Sequence, residues 1–108
     1  MTMLHADSAS ALHNQLQLGG TVLVEYGAPW CAPCRTLMPI LEELDHEYGN
    51  EISIVEVNCD ELPELASEAG VMGLPTVVIY KGGVPVEKLV GLRPKAAYEG
   101  ILNKTLTA

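Results

Sequence analysis

Six consecutive residues, Thr21-Val22-Leu23-Val24-Glu25-Tyr26, are β-branched, aliphatic or aromatic with one charge among them and little alternation of polar and apolar side chains. Such a run is the pattern of a strand buried on both faces, as in a mainly parallel sheet covered by helices. The rest of the chain supplies partners for it. A short apolar start around Met3 to Ala6 precedes a helix that Ser8 or Ser10 can cap, with Ala11, Leu12, Leu16 and Leu18 leading to Gly19-Gly20. From Cys34, residues Leu37, Met38, Ile40, Leu41, Leu44 and Tyr48 recur at helical spacing, with Glu42, Glu43, Asp45 and Glu47 on the other face, until Gly49-Asn50. Pro39 lies inside this helix and removes one hydrogen bond, so a bend is expected there, not an end.

Ile52 to Asn58 reads as the next buried strand, followed by a short helix from Pro63 to Ala69. After Gly70, a strand from Thr76 to Tyr80 turns at Lys81-Gly82-Gly83 into Val86 to Val90. Pro94 opens the last helix, with Ala97, Tyr98, Ile101 and Leu102 on one face. The order predicts an α/β protein with a mixed sheet and helices on both faces.

At 108 residues without repeats or linkers, one domain over 1–108 is expected, large enough to form a core without metal or disulfide support. The core should be aliphatic, because phenylalanine is absent. Fourteen acidic against 6 basic side chains give a net charge of −8, which repels nucleic acid and anionic membranes. With no apolar run near the ~20 residues of a membrane span and no signal-type start, a cytoplasmic location is expected. Three cysteines are too few, and odd in number, for a secreted disulfide framework.

The pair Cys31 and Cys34, in Trp30-Cys31-Ala32-Pro33-Cys34, falls in the mouth of a strand–helix unit. The first thiol of such a pair stands at a helix N-terminus, where unpaired N–H groups and the dipole favour the thiolate. Cys31 is therefore read as the nucleophile, exposed at the helix start, and Cys34, buried one turn on, as the resolving thiol. Pro33 suits the first helical turn. A zinc site needs about four ligands, and beyond Cys59 only His5, His13 and His46 are available, none in paired spacing, so no metal is expected. The histidines are read as solvated.

Five segments, in order along nearly the whole chain, resemble the thioredoxin family. They are Val-Glu-Tyr-Gly-Ala-Pro-Trp-Cys-Ala-Pro-Cys-Arg (24–35), Met-Pro-Ile-Leu-Glu-Glu-Leu (38–44), Val-Met-Gly-Leu-Pro-Thr (71–76), Tyr-Lys-Gly-Gly (80–83) and Val-Gly-Leu-Arg-Pro (90–94). The resemblance implies the thioredoxin fold, a central mixed five-stranded sheet flanked by four helices. It also implies reduction of protein disulfides through a redox-active Cys31–Cys34 disulfide, with no other cofactor. The implied partners are thioredoxin reductase or another electron-donating reductase and disulfide-containing substrates, and the chain is expected to act as a monomer. Leu74-Pro75-Thr76 resembles the family's cis-proline loop facing the cysteines. Trp30, Met72, Gly73, Leu74, Gly91 and Leu92 resemble the apolar collar that receives an extended peptide, together with Ala32 and Pro33 between the cysteines. A disulfide isomerase or oxidase, and a non-catalytic binding subunit, are the competing readings; the presence of both cysteines opposes the last.

The chain departs from the family at four positions. Ala32 replaces the typical glycine and Gly27 a frequent second tryptophan. Glu25 replaces a buried aspartate, and Glu56 stands where lysine is common. A carboxyl in an apolar strand loses hydration, so Glu25 is expected to titrate above about 4.3, and higher still if Glu56 is near. Glu25 is then a candidate base for the Cys34 proton. Cys59, following its strand, reads as a small hydrophobe capping the core or, where partly exposed, as a third thiol beside the substrate surface, open to dimerisation or glutathionylation under oxidation.

Overall fold

A computed structural model of the chain describes residues 3–108, and at its centre lies the apolar run that the sequence singles out. This strand, β2 (Thr21–Gly27), is buried at every position. It pairs in parallel with β3 (Ile52–Asn58) and antiparallel with β4 (Thr76–Lys81). β1 (Leu4–His5) adds in parallel beyond β3, and β5 (Val84–Val90) antiparallel beyond β4, giving the order β1-β3-β2-β4-β5. The expected mixed five-stranded sheet is thus present, with four helices: α1 (Ala9–Gln17), α2 (Ala32–Tyr48), α3 (Pro63–Glu68) and α4 (Lys95–Thr107).

Side chains of a strand alternate between faces, so β2 feeds two cores. On one face Leu23 and its neighbours Ile54, Val77 and Ile79 pack under Leu37, Leu41 and Leu44 of α2 and Tyr98 and Leu102 of α4. On the other, Val22, Val24 and Tyr26 join Val55, Val57, Val78 and Tyr80 beneath Leu12 of α1 and Leu65 of α3. Truncating one of the buried α2 leucines to alanine would cost about 2–5 kcal/mol, a large share of the roughly 5–15 kcal/mol that holds a domain folded. The heptad-like apolar face of α2 is therefore what anchors the cysteine segment at its start.

Local signals explain the element ends. Ser8 is the cap of α1, its hydroxyl accepting from the Ala11 N–H at 3.1 Å. α2 runs through Pro39 without ending, because Leu41, Leu44 and Tyr48 beyond it are held in the core. The hairpin departs most from the sequence expectation, while β2 runs one residue further, to Gly27, and α3 stops one residue earlier, at Glu68. Lys81 belongs to β4, and the turn is Gly82-Gly83 alone, with φ of 60° and 81°, the paired left-handed conformation of a two-residue hairpin turn. β5 begins at Val84, not Val86; Pro85 is admitted because β5 is an edge strand and the pairing is irregular between Ile79 and Tyr80.

Candidate active site

β2 ends at Gly27, and the four residues Ala28-Pro29-Trp30-Cys31 carry the chain into α2. Cys31 is the N-cap: its backbone is extended, and its Sγ accepts the Cys34 N–H at 3.2 Å. The sulfur thus takes up one of the N–H groups that a helix start leaves unpaired, the contact that stabilises a thiolate there. Pro33 sits in the first turn, where a missing N–H costs nothing. Cys31 and Cys34 form a disulfide, their α-carbons 5.2 Å apart.

The expected contrast in exposure between the cysteines is not found. Cys31 is 5% and Cys34 4% exposed, packed together with Ala28 and with Leu74 against them. The cross-link holds the first sulfur against the helix start, and Leu74 covers it. Any difference in reactivity between the two must come from their positions on the helix, not from burial in the oxidised state.

Leu74 belongs to the loop before β4, and the Leu74–Pro75 peptide bond is cis. The Pro75 carbonyl accepts from the Gly91 N–H at 2.7 Å, and Thr76 Oγ1 donates to the Gly73 carbonyl at 2.6 Å. These bonds tie residues 73–76 to residue 91, bringing Leu74, Gly91 and Leu92 to one end of the sheet. Trp30, Met72 and Leu92 are exposed there. Trp30 is oriented by its indole Nε1, which donates to Asp60 Oδ2 at 2.7 Å. Asp60 escaped sequence reasoning, since an acidic residue after a strand carries no signal of an indole thirty positions away.

Behind the disulfide lies Glu25. It is buried, and its Oε2 has no hydrogen-bond partner among the described residues. Burial first, with the neighbouring Glu56 carboxylate adding to it, pushes the Glu25 carboxyl up to about 7. Glu25 and Glu56 are register partners on β2 and β3. A cavity of about 220 Å³ opens beside them, lined among others by Glu25, Gly27, Cys34, Met38 and Glu56. Cys59 is half-buried, its N–H donating to the Gly27 carbonyl at 2.9 Å. Burial, then the Glu25 and Asp60 charges, raise its thiol. Among the described residues no group of three or more His, Cys, Asp or Glu side chains could hold a metal ion, and no helix is long and apolar enough to cross a membrane.

Residues 4–104 match the family model described as Thioredoxin. The chain is 46% identical over 87 residues to a thioredoxin of Bacillus subtilis (strain 168), covering 81% of this chain and 84% of the relative. It is 44% identical over 85 residues to thioredoxin 1 of Nostoc sp., covering 79% of each. Among solved structures, Plasmodium falciparum thioredoxin superposes with a TM-score of 0.88 at 25% identity, over 94% of this chain and 98% of that one. A mutant thioredoxin from Halobacterium salinarum gives 0.88 at 30% identity, over 95% of this chain and 89% of that one.

Proposed function

The chain belongs to the thioredoxin family, and from that premise we propose that Cys31 is the attacking thiolate and Cys34 the resolving thiol of a general protein-disulfide reductase. Family and cysteine pair together make the chain a thiol–disulfide oxidoreductase working through its own disulfide. Reductase partners and disulfide substrates follow from the family. A thioredoxin reductase as donor, a cytoplasmic setting and a role as electron carrier belong to the proposal.

In the reduced protein the Cys31 thiolate attacks one sulfur of a substrate disulfide. The Cys31–substrate bond forms, the substrate S–S bond breaks, and the first substrate sulfur leaves as a thiolate. Cys34 then loses its proton to Glu25 and attacks Cys31 Sγ. The Cys31–Cys34 bond forms as the mixed disulfide breaks, and the second substrate sulfur leaves. Two electrons have passed to the substrate, and the donor reductase restores the dithiol. Trp30, Met72, Gly73, Leu74, Gly91 and Leu92, with Ala32 and Pro33, serve as the surface on which an extended peptide lies while Pro75 and its loop face the sulfurs.

The N-cap contact of Cys31 carries this reading, because it gives the first sulfur the donor that stabilises its anion. Reduction potential tests it, alongside turnover of insulin disulfides with dithiothreitol. A value near about −270 mV, that of thioredoxins, supports a reductant; a value above about −200 mV moves the chain to the isomerase and oxidase range of about −180 to −120 mV.

A further inference from the structure

His5, Glu56 and Glu25 are register partners on three adjacent parallel strands, β1, β3 and β2. Register partners project from the same face of a sheet. The three side chains therefore form one row on the face covered by α2, running from the edge strand inward to the site of Cys34. Exposure falls along the row: the His5 side chain is 50% and that of Glu56 28% exposed, whereas Glu25 is buried. All three line the 220 Å³ cavity that Cys34 also lines. His5 Nδ1 lies 4.0 Å from Glu56 Oε2, and its Nε2 3.8 Å from Glu61 Oε1.

Two carboxylates side by side on neighbouring strands oppose each other's ionisation. The other charged or titratable groups around the row do little to relieve this. From α2, Glu42 adds a negative charge near Glu56, and Asp45 and His46 line the adjoining cavity around His5. Arg35 reaches the cavity wall, yet its guanidinium donates to the Pro29 carbonyl at 2.6 Å. Glu61 meets His5 from the loop after β3, Cys59 lies at the end of β3, and Tyr98 faces Glu25 from α4. His5 is thus the group in the row able to carry positive charge against a carboxylate.

We propose that His5, when protonated, is the cation that balances the Glu56–Glu25 pair, so that the charge on an edge-strand histidine sets how readily Glu25 takes the proton of Cys34. His5 touches neither substrate nor sulfur and acts through Glu56; it is a positioning residue. The inference rests on the reading of Glu25 as the base for the resolving step. With an imidazolium at the outer end, both carboxylates ionise with one net negative charge on the row. With a neutral imidazole the same state carries two, and ionisation of Glu25 is opposed.

Carboxyl NMR titration of the oxidised full chain, with ¹³C-labelled glutamate, reads the Glu25 midpoint directly. His5→Lys should place it about 0.5–1 pH unit below His5→Gln, with wild type between them. Glu56→Gln should lower the midpoint and remove the response to residue 5. In rapid-mixing measurements at pH 6, Cys34 should resolve a mixed disulfide roughly threefold faster in His5→Lys than in His5→Gln, the ratio that half a unit produces below a midpoint. Coincidence of the three Glu25 midpoints to within about 0.2 unit, far below the expected coupling, would overturn the role of His5. Midpoints that follow the residue-5 charge while resolving rates stay equal would instead overturn Glu25 as the base. Glu25→Gln separates the two further, because its resolving rate should respond to neither His5 variant.

Discussion

Glu25 Oε2 and Cys34 Sγ approach each other across the bare α-carbon of Gly27: a methyl group on residue 27 would overlap the carboxylate oxygen and stand 3.2 Å from the sulfur. Gly27 has no positive φ, so its requirement is one of space and not of backbone freedom. Gly27→Ala should destabilise the oxidised protein by about 1–3 kcal/mol, as overpacking of a buried site does, and slow resolution of mixed disulfides. In a Glu25→Asp background, whose shorter side chain withdraws from residue 27, the same substitution should cost less. Urea unfolding of the four proteins in a double-mutant cycle measures the difference, and strict additivity would exclude the contact.

Glu25 also predicts a pH dependence of stability. Its carboxyl titrates at about 7 in the folded chain against 4.5 as the ordinary value. Below about 4.5 the group is neutral in both states and costs nothing. As pH rises, the unfolded chain releases its proton first, so stability falls until the folded group has ionised above pH 7. The penalty at its full size is on the order of 3 kcal/mol. Glu25→Gln should therefore gain stability over wild type progressively between pH 4 and 8, read from urea midpoints. A difference that stays constant over that range would remove the raised titration.

Cysteine replacements should behave asymmetrically even though both residues are equally buried in the disulfide. Cys34→Ser is expected to accumulate mixed disulfides through Cys31, because the sulfur at the helix N-cap is the better thiolate and nothing remains to release it. Cys31→Ser should trap few partners. Non-reducing gels of captured substrate proteins compare the two, and equal trapping would undo the assignment of roles.

Cys59 is expected to be a poor nucleophile. Its thiol is half-buried, with the Glu25 and Asp60 charges further opposing ionisation. Alkylation by iodoacetamide at pH 7.5 in the oxidised protein should run at least about tenfold more slowly than for a free thiol. Mass spectrometry over a time course measures it; labelling as fast as a model thiol would restore Cys59 as a redox-sensitive site.

Much of this protein can be read along the chain, because the signals are local. The apolar run of β2 demands cover on both faces, the spacing from Leu37 to Tyr48 demands a helix through Pro39, and Ser8, Gly19 and Gly82-Gly83 mark ends by their own backbone chemistry. The cysteine pair at a strand–helix junction fixes its own chemistry in the same way, since the helix start that activates Cys31 is built from adjacent residues. The hairpin boundaries that differed, at Lys81 and Val84, fall where β4 meets the edge strand β5, and there pairing between the two strands, not side-chain pattern, decides where each stops. Tertiary structure alone decided what meets across distance. That Glu56 stands beside Glu25, and His5 beside Glu56, depends on the order β1-β3-β2 and its register, which a two-residue strand at Leu4–His5 cannot announce. Packing of Leu74 over the disulfide likewise made the two cysteines alike in burial where the helix position alone suggested otherwise. Local backbone preference acts over a few residues, whereas charge and burial at a site are set by whichever strands the sheet brings together.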